Sequence, residues 1–486
     1  MAYIKGTPRD QMQLTLTHLE DVVAPDNPVR VIDAFVESLD LKQMGFRHTD
    51  PHVVGHPSYD PKDKLKLYLY GYVNRIRSSR RLEAEAKRNL ETKWLLKNLT
   101  PDFKTIADFR RDHPAQLKEV YRQFVKLLDD LGLIGKETVA IDGTKMKASN
   151  AKKNNHNAKS LARKRKYHDK KINEYLKDLD QNDEQEDAQP RKSAEEIKDI
   201  VKKLKERRAK IEELEHTMKE TGQTEISTTD PDARLMNNGK NALEVCYNVQ
   251  TAVDDKHNLV VDYRITNQAS DQGQLAPMAS RMKKLFGKRY VLLADKGYYQ
   301  ASDLKECAKE DITTYVAKQA HASPTGNPDY ARENFTYNRE TNTYTCPAGQ
   351  ELHQGRKRSE KGRLVGWDYK NLKACRACED RSQCTKSKQG RTIHRHADQD
   401  FLDQIDRATQ ENKHIYRKRQ MMVEHPYGTI KGAWGADYFL VRGLKAVGGE
   451  AALLFTAYNL VRVVNILGVT KLLELLKAKR VHLALG

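Results

Sequence analysis

Two stretches of the chain run from apolar residues into an aspartate that is followed closely by a glycine. The first is Thr138-Val-Ala-Ile-Asp142-Gly143-Thr144, the second Arg289-Tyr-Val-Leu-Leu-Ala-Asp295-Lys-Gly297-Tyr298. Short runs of β-branched and small apolar residues predict buried strands, so each run brings one carboxylate to a strand end. Asp-Gly is also a common turn pair, and either stretch alone fits a turn. Two such runs, far apart in sequence, predict neighbouring strands with Asp142 and Asp295 at one edge of a sheet. Carboxylate oxygens are the hard ligands that divalent cations take. Glu424, beside a basic helical stretch, is the candidate third acid; Glu411 and Glu450 are alternatives whose helical settings also suit salt bridges.

A chain of 486 residues exceeds one compact core, so two to four modules are expected. Lys and Arg number 86 against 67 Asp and Glu, a net charge of +19, which favours a polyanionic partner. A merely basic protein would carry the same excess. Met1 to Lys5 lacks the apolar core of a signal peptide. Asn459, Arg462 and Asn465 interrupt the apolar run from 451 to 468, which predicts a buried helix and no membrane partner. Six cysteines without an export signal predict no disulfide framework, and a cytosolic compartment is expected.

The positioning elements follow in order. Residues 1–134 read as a helical module: Val29, Ile32, Phe35 and Leu39 recur at helical spacing, and so do Leu65, Leu69 and Val73. Thr105 with Asp108 reads as an N-cap, in a helix that Pro114 closes. Arg75, Arg77, Arg80, Arg81, Arg110 and Arg111 lie near turns, which fits a helix-turn-helix-like DNA reader as well as an ordinary basic bundle. Residues 150–235 read as a helical hairpin, with roughly heptad spacing of Ile197, Val201, Leu204 and Ile211 and a solvated acidic tip. The strands Glu244–Val253 and Asn258–Thr266 form a predicted hairpin, and helices with strands to Asp295 and Val316 complete a mixed sheet flanked by helices. Asp271 would be a helix N-cap or an acid supporting the site. Trp434 and Tyr438 fit core packing or base stacking.

Residues 317–400 read as an irregular insertion holding Cys346, Cys375, Cys378 and Cys384. Thiolates on turns suit tetrahedral zinc, and reduced structural cysteines fit the same pattern. Ile405–Val423 reads as a basic helix, and Pro426 predicts that it ends or kinks beside Glu424. A helix over 450–467 and a tail over 471–486 close the chain. No Walker loop, dinucleotide fingerprint or Ser-His-Asp arrangement is present.

Four stretches carry a family resemblance: Thr100-Pro-Asp-Phe-Lys-Thr-Ile-Ala-Asp-Phe-Arg110, Ala140-Ile-Asp-Gly-Thr144, Leu293-Ala-Asp-Lys-Gly297 and Val423-Glu-His-Pro-Tyr-Gly-Thr-Ile-Lys431. In this order the chain resembles a bacterial insertion-sequence transposase of the DDE class. The resemblance implies a ribonuclease-H-like catalytic domain over 135–316 and 401–470, with Asp142, Asp295 and Glu424 holding two Mg²⁺ or Mn²⁺ ions roughly 3.5–4 Å apart. It implies double-stranded DNA as substrate, cut at inverted-repeat ends and joined to target, by at least a homodimer. Relatives often carry Tyr and Arg seven and four residues before the Glu; here Tyr416 and Arg419 each stand one residue off. Lys431 keeps its place after Glu424 and is a candidate phosphate contact, as is Arg419. A nuclease that cuts without joining, and a DNA-binding protein without activity, share these features.

Overall fold

A computed structural model of the chain describes residues 18–50, 58–184, 194–238, 242–319, 322–360 and 362–485. Six helices open it: α1 (Val29–Glu37), α2 (Pro61–Val73), α3 (Ser79–Arg88), α4 (Leu90–Leu95), α5 (Phe103–Asp112) and α6 (Pro114–Asp130). The cap of α5 is Asp102, whose carboxylate takes the Lys104 and Thr105 N–H groups, so the expected Thr105 cap lies one turn too late. α5 ends at Asp112, just before Pro114 as expected, and Pro114 also begins α6, at a position where its missing N–H goes unneeded.

The central sheet uses β1 (Thr138–Lys147), β4 (Arg234–Asn237), β5 (Leu243–Asp254), β6 (Val260–Thr266), β7 (Val291–Ala294) and β8 (Thr313–Val316), while β2 (Asn155–Asn157) pairs separately with β3 (Glu225–Ser227). Its order is β4-β5-β1-β7-β8, with β6 also on β5. β1, β7 and β8 run parallel, and β5 is antiparallel to β1, β4 and β6. The sequence ended β1 at Asp142; the strand continues through Gly143 to Lys147. Backbone pairing of Gly143 with Gln250 and of Lys145 with Asn248 offsets the weak strand preference of glycine.

Helices α7 (Ala158–Glu184) and α8 (Ala194–Thr221) form the expected hairpin, packed by Ile172, Ile197, Val201 and Leu204. Arg208, which interrupts the heptad spacing, pairs with Asp169 across the hairpin. The expected acidic tip falls largely outside the described residues. Helices α9 (Leu275–Phe286) and α10 (Ala301–Lys309) flank β7. Ser302 lies inside α10, whose N-cap is Gln300.

The cysteine segment is more regular than its composition suggests. Strands β9 (Thr336–Asn338), β10 (Thr343–Thr345), β11 (Glu351–Glu360), β12 (Arg363–Lys370) and β13 (Thr392–His396) make an antiparallel meander around Phe335, Tyr344, Leu352, Tyr369 and Ile393. Two short helices, α11 (Leu372–Ala377) and α12 (Arg381–Cys384), sit between its last strands.

Helices α13 (Gln399–Glu411) and α14 (Lys413–Tyr427) replace the single basic helix expected there. α14 does not end beside Glu424: Pro426 lies inside it, and after Tyr427 the chain passes into a π-helical turn over Gly428–Ala433. α15 (Leu444–Leu467) starts earlier than expected and leads to α16 (Val469–Leu485). By length and composition α15 is the one described helix apolar enough to cross a bilayer, yet it is mostly buried against α6, α2 and β6. One continuous hydrophobic core therefore joins the N-terminal helices to the central sheet.

Candidate active site

The register places the two aspartates together. β1 and β7 pair in parallel as far as Ile141 with Ala294, so Asp142 and Asp295 stand one step beyond the last pair, where β7 turns away. Asp142 is partly buried and its Oδ1 accepts the Gly143 N–H. Burial pushes its carboxyl up from 3.8 to about 6; the Gly143 N–H and Arg419 oppose the rise, and Asp295 and Asp271 add to it. Asp295 accepts the Lys296 N–H at 2.6 Å and lies 3.9 Å from the Arg419 guanidinium.

α14 crosses this edge. The Tyr427 hydroxyl lies 3.1 Å from the carbonyls of both Asp142 and Val249, and Thr251 donates to it at 2.8 Å. One helix end is thus fastened to the β1–β5 pair at the position of the first acid. Arg419 stands beside Asp295 with its guanidinium 5.9 Å from the Tyr416 ring, so these two residues reach the site despite their shifted spacing. Glu424, one turn before Tyr427, is exposed and accepts from Gln420 at 2.8 Å. Lys431 donates to Thr144 Oγ1 at 2.9 Å and to the Lys145 carbonyl at 3.1 Å, along β1 just past Asp142.

Asp271 reaches the same place. Its side chain caps no N–H of α9, which begins at Leu275 with Gln274 as N-cap. Instead its Oδ1 accepts from Lys145, Asn248 and Gln250 at 3.0, 2.8 and 2.8 Å. The polar run before Asp271 held no cue that distinguished this from a cap.

Other expected residues are elsewhere. Arg110 is buried, donating to the Tyr72 hydroxyl and lying 3.9 Å from Glu450, so it is a core residue and not a DNA contact. Glu450 is fully buried and accepts the Leu440 and Val441 N–H groups, which removes it as an alternative ligand. Arg111 pairs with Asp108 and Asp112, while Arg80 and Arg81 are exposed. Glu411 is exposed at the end of α13. Trp434 packs against the core; Tyr438 is exposed, with the Arg77 guanidinium 4.4 Å over its ring.

The four cysteines Cys346, Cys375, Cys378 and Cys384 line one cavity of about 20 Å³. The Gln350 N–H points at Cys346 Sγ at 3.3 Å, and Gly390 approaches Cys375 so closely that a Cβ there would lie 2.7 Å from the cysteine Cβ. Burial raises the Cys384 thiol to about 11. Cys246 and Cys307 are buried on β5 and α10, as expected of core thiols. Among the described residues, no three Cys, His, Asp or Glu side chains stand ready to hold a metal, either at the acids or at the thiols.

A basic helical module thus leads into a sheet with two aspartates at one edge. A transposase domain model (DUF772) matches residues 17–112, and a transposase DDE domain model matches residues 345–464. Both matches are to transposase domains, and together they support kinship with the insertion-sequence DDE transposases. The second match contains Glu424 and the four cysteines, whereas Asp142 and Asp295 lie between the two matches. No curated protein and no solved structure matches the chain.

Proposed function

We propose that the protein is a divalent-metal-dependent transposase that cuts DNA at inverted-repeat ends and transfers the freed 3′-ends into target DNA. The observation that carries this reading is the convergence of Asp142 and Asp295 beyond the last β1–β7 pair. A mixed sheet with parallel β1, β7 and β8 and antiparallel β5 supports a ribonuclease-H-like core. The donor set is all oxygen and its acids repel one another, which suits a hard dication. Asp142, Asp295 and Glu424 would hold Mg²⁺ or Mn²⁺, with Glu424 turning in from its Gln420 contact. Bound there, two ions would activate the attacking oxygen and stabilise the leaving one.

The chain's own residues hold the substrate. Arg419 and Lys431 flank the acids from α14 and the π-helical turn and would take phosphates; Arg80, Arg81 and Arg111 extend a basic surface on the N-terminal helices. Pairing of two DNA ends calls for a homodimer during reaction. Linear DNA bearing the element's ends, incubated with Mg²⁺ or EDTA, tests the reading. Joined products support it, cleavage without joining reduces it to a nuclease, and neither product with tight DNA binding makes it a DNA-binding protein.

We also infer a structural zinc at Cys346, Cys375, Cys378 and Cys384, reached by closure of the thiols around their cavity. One space bounded by four thiols and an N–H directed at Cys346 Sγ supports it. Metal analysis of protein before and after chelation tests it, and no zinc in either sample defeats it.

A further inference from the structure

We propose that Asp271 is a positioning carboxylate of the metal site: it clamps the strand pair carrying Asp142, keeps its second oxygen beside the turn that follows Asp295, and thereby strengthens cation binding by the acid pair. The proposal rests on the metal-dependent reading above and adds a residue to it.

Three observations carry it. First, three donors converge on one oxygen of Asp271, and they come from both strands of the pair: Lys145 from β1, Asn248 and Gln250 from β5. Lys145 faces Asn248 and Gly143 faces Gln250 in the register, so the clamp closes over Gly143 and Lys145, just past Asp142. A carboxylate fixed by an ammonium and two amides is held in one orientation. Second, the network continues to the other acid. The Gln250 side chain accepts from the Tyr298 hydroxyl, and Tyr298 belongs to the turn that follows Asp295. Asn248 and Gln250 are fully buried, so their geometry is set by these bonds and not by solvent.

Third, the space is reserved. A Cβ at Gly143 would lie 2.3 Å from Gln250 Nε2 and 2.6 Å from Asp271 Oδ1, so any side chain after Asp142 would break the clamp. The backbone there is ordinary strand; glycine is required for room and not for a turn. Asp271 Oδ2 lies 3.8 Å from the Cβ position of Gly297 and takes no hydrogen bond among the described residues. With the Asp271 Cβ 3.9 Å from the same position, the side chain runs beside the turn that follows Asp295, where Oδ2 would accept from a water on a cation held by Asp142 and Asp295. Outer-shell groups of this kind typically change metal affinity 10–100-fold.

Asp271→Asn keeps the shape and removes the charge. Mn²⁺ binding to the DNA-free full chain, read by electron paramagnetic resonance, is expected to weaken about tenfold. The Mg²⁺ concentration for half-maximal end cleavage should rise in parallel, saturating Mn²⁺ should restore the rate, and melting temperature and DNA affinity should hold. Lys145→Gln, which keeps a donor but no cation, should weaken Mn²⁺ binding about threefold and serves if the first variant fails to fold. Wild-type affinity for Mn²⁺ in both variants would overturn the role of Asp271 alone. A wild-type chain that binds no Mn²⁺ would overturn the metal reading with it.

Discussion

The acid edge and the cysteine cavity are both ligand-rich places, yet they are built in different ways. The acids stand on strands whose register is set by a sheet in the main core, with Val139, Ala140, Ile141, Leu292 and Leu293 buried beneath them. The thiols stand on turns and short helices around a meander with a small core of its own. Strand pairing places carboxylates before any ion arrives. Turns leave thiols to be drawn together by whatever they bind. In both places burial opposes the ionised ligand, at Asp142 and at Cys384, so cation binding in either should release protons.

The largest effect separates the two by chemistry. Asp142→Ala or Asp295→Ala should lower end cleavage by roughly 10³-fold or more while leaving DNA affinity intact, as groups acting as a unit do. Residual cleavage near wild type would break the comparison at its stronger side. Next, Cys378→Ser should remove the zinc, about one ion per chain, and make residues 322–400 protease-sensitive. An unchanged digestion pattern would mean that the meander stands without metal.

Gly143→Ala should come third, costing about 1–3 kcal/mol of stability through overpacking against Gln250 and Asp271. Chemical denaturation reads it, and a neutral substitution would show that the strand pair yields more easily than its contacts imply. The smallest effect is a pH dependence. The folded-state value of Asp142 lies above the ordinary carboxylate value, so ionising it opposes folding as pH rises from about 4 to about 6. Asp142→Asn should therefore stabilise the metal-free protein by about 1–2 kcal/mol at pH 8 and leave it unchanged at pH 3. A gain of equal size at both pH values would trace it to packing instead of charge.

Much of the acid edge was legible because buried strands write themselves as apolar runs, and both runs ended where the acids stand. What the runs do not encode is register: nothing in Val139 or Leu292 says that the pairing stops at Ile141 and Ala294. Pro426 misled because its bias against helix at the preceding residue is local and was overridden, and α14 carries the proline inside it before the π-helical turn begins. Arg110 misled because a sequence shows charge and not depth. The cysteine spacing announced a cluster, but its strands went unseen, since Glu351–Glu360 is polar along nearly its whole length and alternates too weakly to read.

Glu450 ties two parts of the molecule together, which would matter to the proposed reaction. It sits in the second turn of α15, near Tyr72, Arg77 and Arg110 of the N-terminal module, while holding the Leu440 and Val441 backbone that follows the π-helical turn. A double helix gripped by Arg80 and Arg81 would then meet the cutting edge at a spacing set by this knot of charges. The molecule would act as a ruler, and the scissile bond would lie a fixed number of base pairs from the gripped sequence.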